Sequence, residues 1–167
     1  SLLPSDPAVW HKALEADPGN RLLWRMNPHR LSFEEMRDAW LAASGELDRS
    51  IGGKPMDLLG SQLPRRTLYA YVDREDLSPV LRNFDFANPD LSIPQRSDTI
   101  VPQQALFSIN HPFPAARAKA LVERIGSDSA DPAQRVQQLY QRLLQRLPGE
   151  DEVKAALAFV QTGPAPP

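Results

Sequence analysis

The sequence contains no cysteine. Disulfides, thiolate nucleophiles, Cys-ligated zinc and covalently attached haem are therefore excluded within this chain. Histidine is scarce, and His11, His29 and His111 show no HxxxH or HExxH spacing. Roles on the surface or at helix ends are expected for them, in place of metal ligation. No apolar run approaches the roughly 18 to 20 residues that cross a bilayer, and no signal peptide is visible, so no membrane insertion is expected of this segment. Runs of like charge are missing too. The 19 Lys and Arg nearly balance 21 Asp and Glu, which implies neither nucleic acid nor an anionic membrane as partner. The "GGKP" at 52–55 lacks the GxxxxGK(S/T) spacing and follows no strand pattern, so it reads as a flexible connection. No GxSxG elbow surrounds any serine: Ser44 precedes Gly45 without one, and Ser108 lies in a predicted helix.

What is abundant is proline, 17 of 167 residues, about twice average usage. Most of these prolines stand where helices should start or stop, so they punctuate the chain more than they disorder it. At 167 residues the chain fits a single domain with one sizeable core. We expect one helical domain over 1–161 and a linker or disordered end over 162–167. The first residue is Ser1, not Met, so a processed product or a piece of a longer multidomain protein is expected.

The fold class predicted is mainly α, an irregular multi-helix domain with at most a small two-stranded β element. A short helix is expected from Pro7 to Ala16. Asp17 as N-cap and Pro18 at the first helical position predict a second helix through "NRLLWRM", ended before Pro28. The strongest signal is residues 31–45: Ser32 and Glu35 form a capping box, Leu31 and Met36 a hydrophobic staple, and Gly45 a left-handed terminus. Phe33, Met36, Trp40 and Leu41 fall near one face. Residues 46–65 read as loop. "RTLYAYVD", 66–73, alternates like a strand, with "DTIV" at 98–101 as its one obvious partner. "LSPVLRNF" gives a helical turn or two. Pro102, Pro112, Pro132 and Glu150 then open four more helices. The third of these, capped by Asp131 with Gln134 as its box partner, carries an apolar stripe of Val136, Leu139, Tyr140, Leu143 and Leu147, and the last folds back on it as a hairpin.

Four stretches together, "NRLLWRMNPHRLSFEEMRDAWLAASG" at 20–45, "RRTLYAYVDR" at 65–74, "FDFANPDLSIPQRSDTIVPQQALFSINHPF" at 84–113 and "RVQQLYQRLLQRLPGEDEVKAALAFV" at 135–160, resemble the planctomycete-specific domain of unknown function 1553. That domain ends large exported proteins, which often carry a cytochrome-c-like module and a second domain of unknown function upstream. The resemblance implies an extracytoplasmic location, periplasmic or secreted, and other domains of the same parent protein as partners, among them a cytochrome-c-like module. It supplies no catalytic residues and no cofactor. Many members of that family carry a CxPxR motif where this chain has Ser92, Pro94 and Arg96, so a cysteine-dependent role in those relatives is absent here.

The segment "FDFANPD", 84–90, is the first place to look for a site. Asp85, Asn88 and Asp90 offer hard oxygens, but the remaining ligands, glycine and terminal Glu of a calcium loop do not follow, so no metal is assigned. Period-two geometry buries Phe84 and Phe86 and leaves Asp85 to cap a backbone or pair with Arg82 or Arg96. The ligand-binding candidate is a polar pocket built from Arg82, Asp85, Asp90, Arg96, Asp98, Thr99, Gln103, Gln104 and Asn110. Its guanidinium forks and amides suit a carboxylate, a sulfate or sugar hydroxyls. Either Arg37 or Asp38 is expected in a buried structural ion pair with Glu35 or Arg82, and Trp10, Trp24 and Trp40 as core anchors. The functional expectation is a non-enzymatic structural or binding module of an exported multidomain bacterial protein. One alternative is a polysaccharide hydrolase or lyase domain with a cleft along 82–110, which needs two carboxylates roughly 5 to 10 Å apart. Another is a docking partner for the cytochrome-c-like module.

Overall fold

Helices begin where the prolines and caps place them. In the computed structural model, which describes residues 7–27, 29–60, 64–128 and 131–163, seven α-helices and one 3₁₀ turn account for the regular structure. Among the described residues there is no sheet, only two isolated bridges, Asp48 with Arg65 and Met56 with Ala70. The predicted mainly α class holds. Residues 164–167 of the expected linker lie outside the described residues, as does Pro28.

The contacts divide the chain into two units, Ser1–Arg30 and Leu31–Pro167. In the first, α1 (Pro7–Ala16) is followed by turns in place of the predicted helix. The reason is local. The Asp17 carboxylate accepts from the N–H groups of Arg21 and Leu22 at 3.0 and 2.8 Å, and Asn20 and Leu23 take positive φ, 52° and 56°. Helical propagation cannot pass two left-handed residues. The Asn20 amide then bonds the Arg25 backbone on both sides, and Trp24 donates to the Asp17 carbonyl at 2.9 Å while meeting Trp10 edge-on.

The second unit is built around α2 (Phe33–Ser44). Its capping box is complete, Ser32 accepting from the Glu35 N–H and Glu35 from that of Ser32, and Gly45 closes it at φ 81°. The buried face is Phe33, Arg37, Leu41 and Ser44, so Met36 and Trp40 lie at its edges. Phe33 joins Leu58, Leu77 and Leu81 in the core, with Met36, Phe84, Phe86 and Phe107 packed around them. The 3₁₀ turn Thr67–Tyr69 replaces the predicted strand, and the residues expected to pair with it at 98–101 stay irregular. Then follow α3 (Pro79–Asn83), α4 (Pro102–Asn110) and α5 (Pro112–Asp128), the last packed on α2. His111 accepts from the Phe113 N–H at 3.1 Å, an end-of-helix role for that histidine. Asp131 caps α6 (Pro132–Leu144), which pairs with α7 (Glu150–Thr162) as the expected hairpin.

Between α6 and α7 an ion pair holds the connection. Arg146 grips both oxygens of Glu152 at 2.7 Å, and Glu152 also accepts from the Gly149 N–H at 2.8 Å. The arginine fork, with help from that amide, pulls the Glu152 pKa from 4.5 down to about 2. Because the folded value lies below the unfolded one, the contact stabilises the hairpin above pH about 4.5 and is lost as pH falls toward 2. In a carboxyl-carbon NMR titration Glu152 is expected to titrate well below 4.5, and Arg146→Met to raise it while the Gly149 N–H still holds it below that value. A Glu152 that titrates near 4.5 in the unaltered chain would refute the bridge.

Candidate functional site

Two charged groups of α2 organise the irregular chain beside it. Arg37 is fully buried. Its Nε donates to the Leu58 carbonyl at 2.7 Å, and its Nη1 donates to the Arg65 carbonyl at 2.9 Å and the Thr67 hydroxyl at 3.1 Å. That hydroxyl in turn donates a hydrogen bond to Asp38 at 2.6 Å, and the Thr67 N–H donates to the same oxygen at 2.8 Å. Burial drives the Arg37 pKa down while Asp38, 3.5 Å away, pushes it back up. The buried ion pair therefore exists, but its partner is the adjacent Asp38 and not Glu35 or Arg82. Arg65 does a similar job one layer out, donating to the carbonyls of Ser50, Gly52 and Lys54 with its guanidinium 4.0 Å from the centre of the Tyr69 ring. The chemistry of both arginines is the same: several donors in one plane replace the ladder that a loop of this kind lacks.

The predicted ligand residues fall into three groups. Asp85, Thr99 and Gln104 come together as a clasp. Asp85 sits at φ 57° and accepts from the Thr99 N–H at 2.8 Å and from its hydroxyl. The buried Gln104 amide donates to the carbonyls of Asn83 and Thr99, at 2.8 and 3.2 Å. Asp85 thus caps a backbone, and neither nearby arginine takes it. In the second group, Arg82 meets Asp76 at 3.7 Å and Asp90 meets Arg74 at 3.0 Å, both on the surface. Asn88 accepts from the Asp90 N–H, so the three oxygens considered for a cation turn to separate partners. Asp98, Gln103 and Asn110 are exposed. Among the described residues no group of three or more His, Asp or Glu is placed to hold a metal.

Arg96 forms the third group alone. It reaches across to α2, where it binds Glu34 at 2.8 Å, and its guanidinium stacks 4.6 Å from the centre of the Phe86 ring. Here it lines a cavity of about 370 Å³ with Glu34, Glu35, Asp38, Arg66, Thr67 and an apolar floor of Leu58, Val72 and Leu81. Phe84 and Phe86 are both half-buried against the core, as their alternation predicted. Glu34 and Arg66 were not legible as site residues: one reads as first-turn helix charge, the other as a loop cation, and nothing local joins them.

The clasp gives a direct prediction. Asp85→Ala removes two acceptors and places alanine in a left-handed conformation, at an expected cost of about 1–2 kcal/mol. Thr99→Val keeps the backbone bond and should cost about half as much. Urea midpoints measure both; equal stability of Asp85→Ala and the unaltered chain would sink the assignment.

A family model described as PSD1, protein of unknown function (DUF1553), matches residues 5–160. No curated protein matches the chain, and no solved structure does.

Proposed function

The chain belongs to the PSD1 family of unknown function, and from that premise we propose that it is a non-enzymatic binding module of a longer exported bacterial protein, docking against another domain of the same polypeptide. The observation that carries this reading is the apolar stripe of α6. Val136 is buried, but Leu143 is 51% exposed, so the stripe runs off the core that should cover it; Leu147, expected to extend the stripe, lies beyond the left-handed Gln145 that ends α6 and is exposed as well. Beside it a groove of about 340 Å³ is lined by Trp40, Ile109, Pro114, Leu121 and Leu143. Its one charged residue, Arg117, is held by Glu46 at 2.9 Å. Exposed apolar surface gathered at one place marks interaction sites more often than isolated side chains do.

The extracytoplasmic location and the cytochrome-c-like module as the docked domain belong to this proposal and rest on the family resemblance alone. Catalytic use of the cavity beside α2 is less well supported: Glu35 is committed to the capping box and Asp38 to Thr67. Titrating the chain calorimetrically with the neighbouring segment of its parent protein tests the proposal. Binding with a negative heat-capacity change is expected, together with loss of at least tenfold in affinity for Leu143→Asp. Binding that ignores Leu143→Asp, or no binding, would reject it.

A further inference from the structure

The cavity beside α2 carries a second inference, independent of the apolar groove. Its wall holds three carboxylates, Glu34, Glu35 and Asp38, placed on one side of α2, and faces the Phe86 ring. A carboxylate beside an aromatic face is the arrangement that recognises a guanidinium or ammonium group, the ring by its quadrupole and the carboxylate by charge-assisted hydrogen bonds. In this structure such a group already sits there. Arg96 stacks on Phe86 and binds Glu34 through one carboxylate oxygen, Oε1. The other, Oε2, is buried without a hydrogen bond.

Arg96 differs from the stacked arginines beside α2, and, unlike the exposed Arg146 on Tyr140 and Glu152, it lines a cavity. Arg37 and Arg65 are buried and bonded to several carbonyls each, whereas the Arg96 side chain is 40% exposed. It also comes from an irregular stretch, 87–101, in which residues 90–100 are exposed throughout. The clasp of Asp85 and Thr99 fixes both ends of that stretch and leaves Arg96 between them. Its two contacts, a part-exposed ion pair and a cation–π stack, are each weak enough to open reversibly.

We propose that Arg96 is an internal stand-in for a ligand, and that the cavity binds a basic side chain, arginine or lysine, of a partner polypeptide. The incoming cation displaces Arg96 from Glu34 and Phe86. With Arg96 swung out, Glu34 loses its counter-ion while Glu35 stays on the capping box and Asp38 on Thr67 and Arg37, so Glu34 is the carboxylate that an incoming cation meets. Glu34 Oε2 then gains a donor, since a bidentate fork uses both oxygens of one carboxylate. A cavity of about 370 Å³ lies at the small end of ligand pockets, the right scale for one long side chain and its flanking backbone. Closure by Arg96 lowers apparent affinity by the fraction of molecules in which the site is covered.

The test uses the full chain and three capped tripeptides, acetyl-Gly-Arg-Gly-amide and its Gln and Glu counterparts, followed by NMR titration. The unaltered chain is expected to bind the Arg peptide alone and to release Arg96, its Nε–H resonance moving toward the free-arginine position. Arg96→Gln should bind that peptide about tenfold more tightly. Arg96→Lys, which keeps the charge but loses the planar fork, should fall between. Glu34→Gln should abolish binding in either background while helix content by circular dichroism is retained. Preference for the Glu peptide, weaker binding by Arg96→Gln, or an Arg96 resonance that saturating peptide leaves in place would each overturn the proposal. Should Arg96→Gln fail to fold, the Arg96 resonance in the unaltered chain still decides it.

Discussion

Arg37→Ala is expected to cost about 3–5 kcal/mol of folding stability, the range for removing one partner of a buried charged network. The substitution strands the carbonyls of Leu58 and Arg65 and takes from Asp38 its buried counter-ion, in an interior that Arg37 now fills completely. Each buried acceptor left without a donor costs about 1–3 kcal/mol, less whatever water can repair. The total is a large share of the 5–15 kcal/mol typical of a domain. Arg37→Lys should recover no more than roughly half, because an ammonium on a flexible stem cannot serve acceptors spread across a guanidinium plane. Urea denaturation followed by circular dichroism measures both. A loss under about 1 kcal/mol for Arg37→Ala would mean that the guanidinium is not what holds residues 56–67 to α2.

Phe33→Ala is expected to be of similar size, about 3–5 kcal/mol, by a different mechanism. Phe33 is 1% exposed and forms a three-ring cluster: its centroid lies 5.1 Å from Phe84 and 5.7 Å from Phe107, which are themselves 5.7 Å apart. Truncation removes the transfer energy of a whole ring, opens a cavity between α2, α3 and α4, and breaks two aromatic contacts worth about 0.5–1.5 kcal/mol each. The melting temperature should fall by roughly 10 °C. Phe33→Leu, which refills most of the volume, should cost under about 1.5 kcal/mol if neighbours repack. A fall of less than roughly 3 °C for Phe33→Ala would show that the rings do not form the core.

These two residues also show where sequence is legible and where it is not. Phe33 stands inside a capped, periodic helix, and its burial follows from spacing alone. Arg37 stands one turn later on the same buried face, and a charged residue in that position reads as solvent-facing until its acceptors, 19 to 30 residues away, are known. The helices opened by Pro102, Pro112, Pro132 and Glu150 were readable because proline and cap chemistry act within one turn. The strand expected over 66–73 was not formed, because Asp38 captures Thr67 through both N–H and hydroxyl and bends the chain into a 3₁₀ turn. Of the candidate site, the role of Asp85 as a backbone cap could be anticipated. The pairing of Arg96 with Glu34 could not, since 62 residues separate them and neither belongs to a motif.

The guanidinium of Arg37 makes the loop and the helix a single cooperative unit. Residues 56–67 have no ladder of their own, and such a segment would ordinarily open locally at little free-energy cost. Here opening it breaks the bonds of Arg37 to Leu58, Arg65 and Thr67 and those of Thr67 to Asp38 together. Amide protons of the bonded loop positions, such as the Thr67 N–H on Asp38 and the Met56 N–H on the Tyr69 carbonyl, should therefore exchange with solvent as slowly as the centre of α2. A stretch that looks irregular is then, in its kinetics, part of the most protected element of the fold.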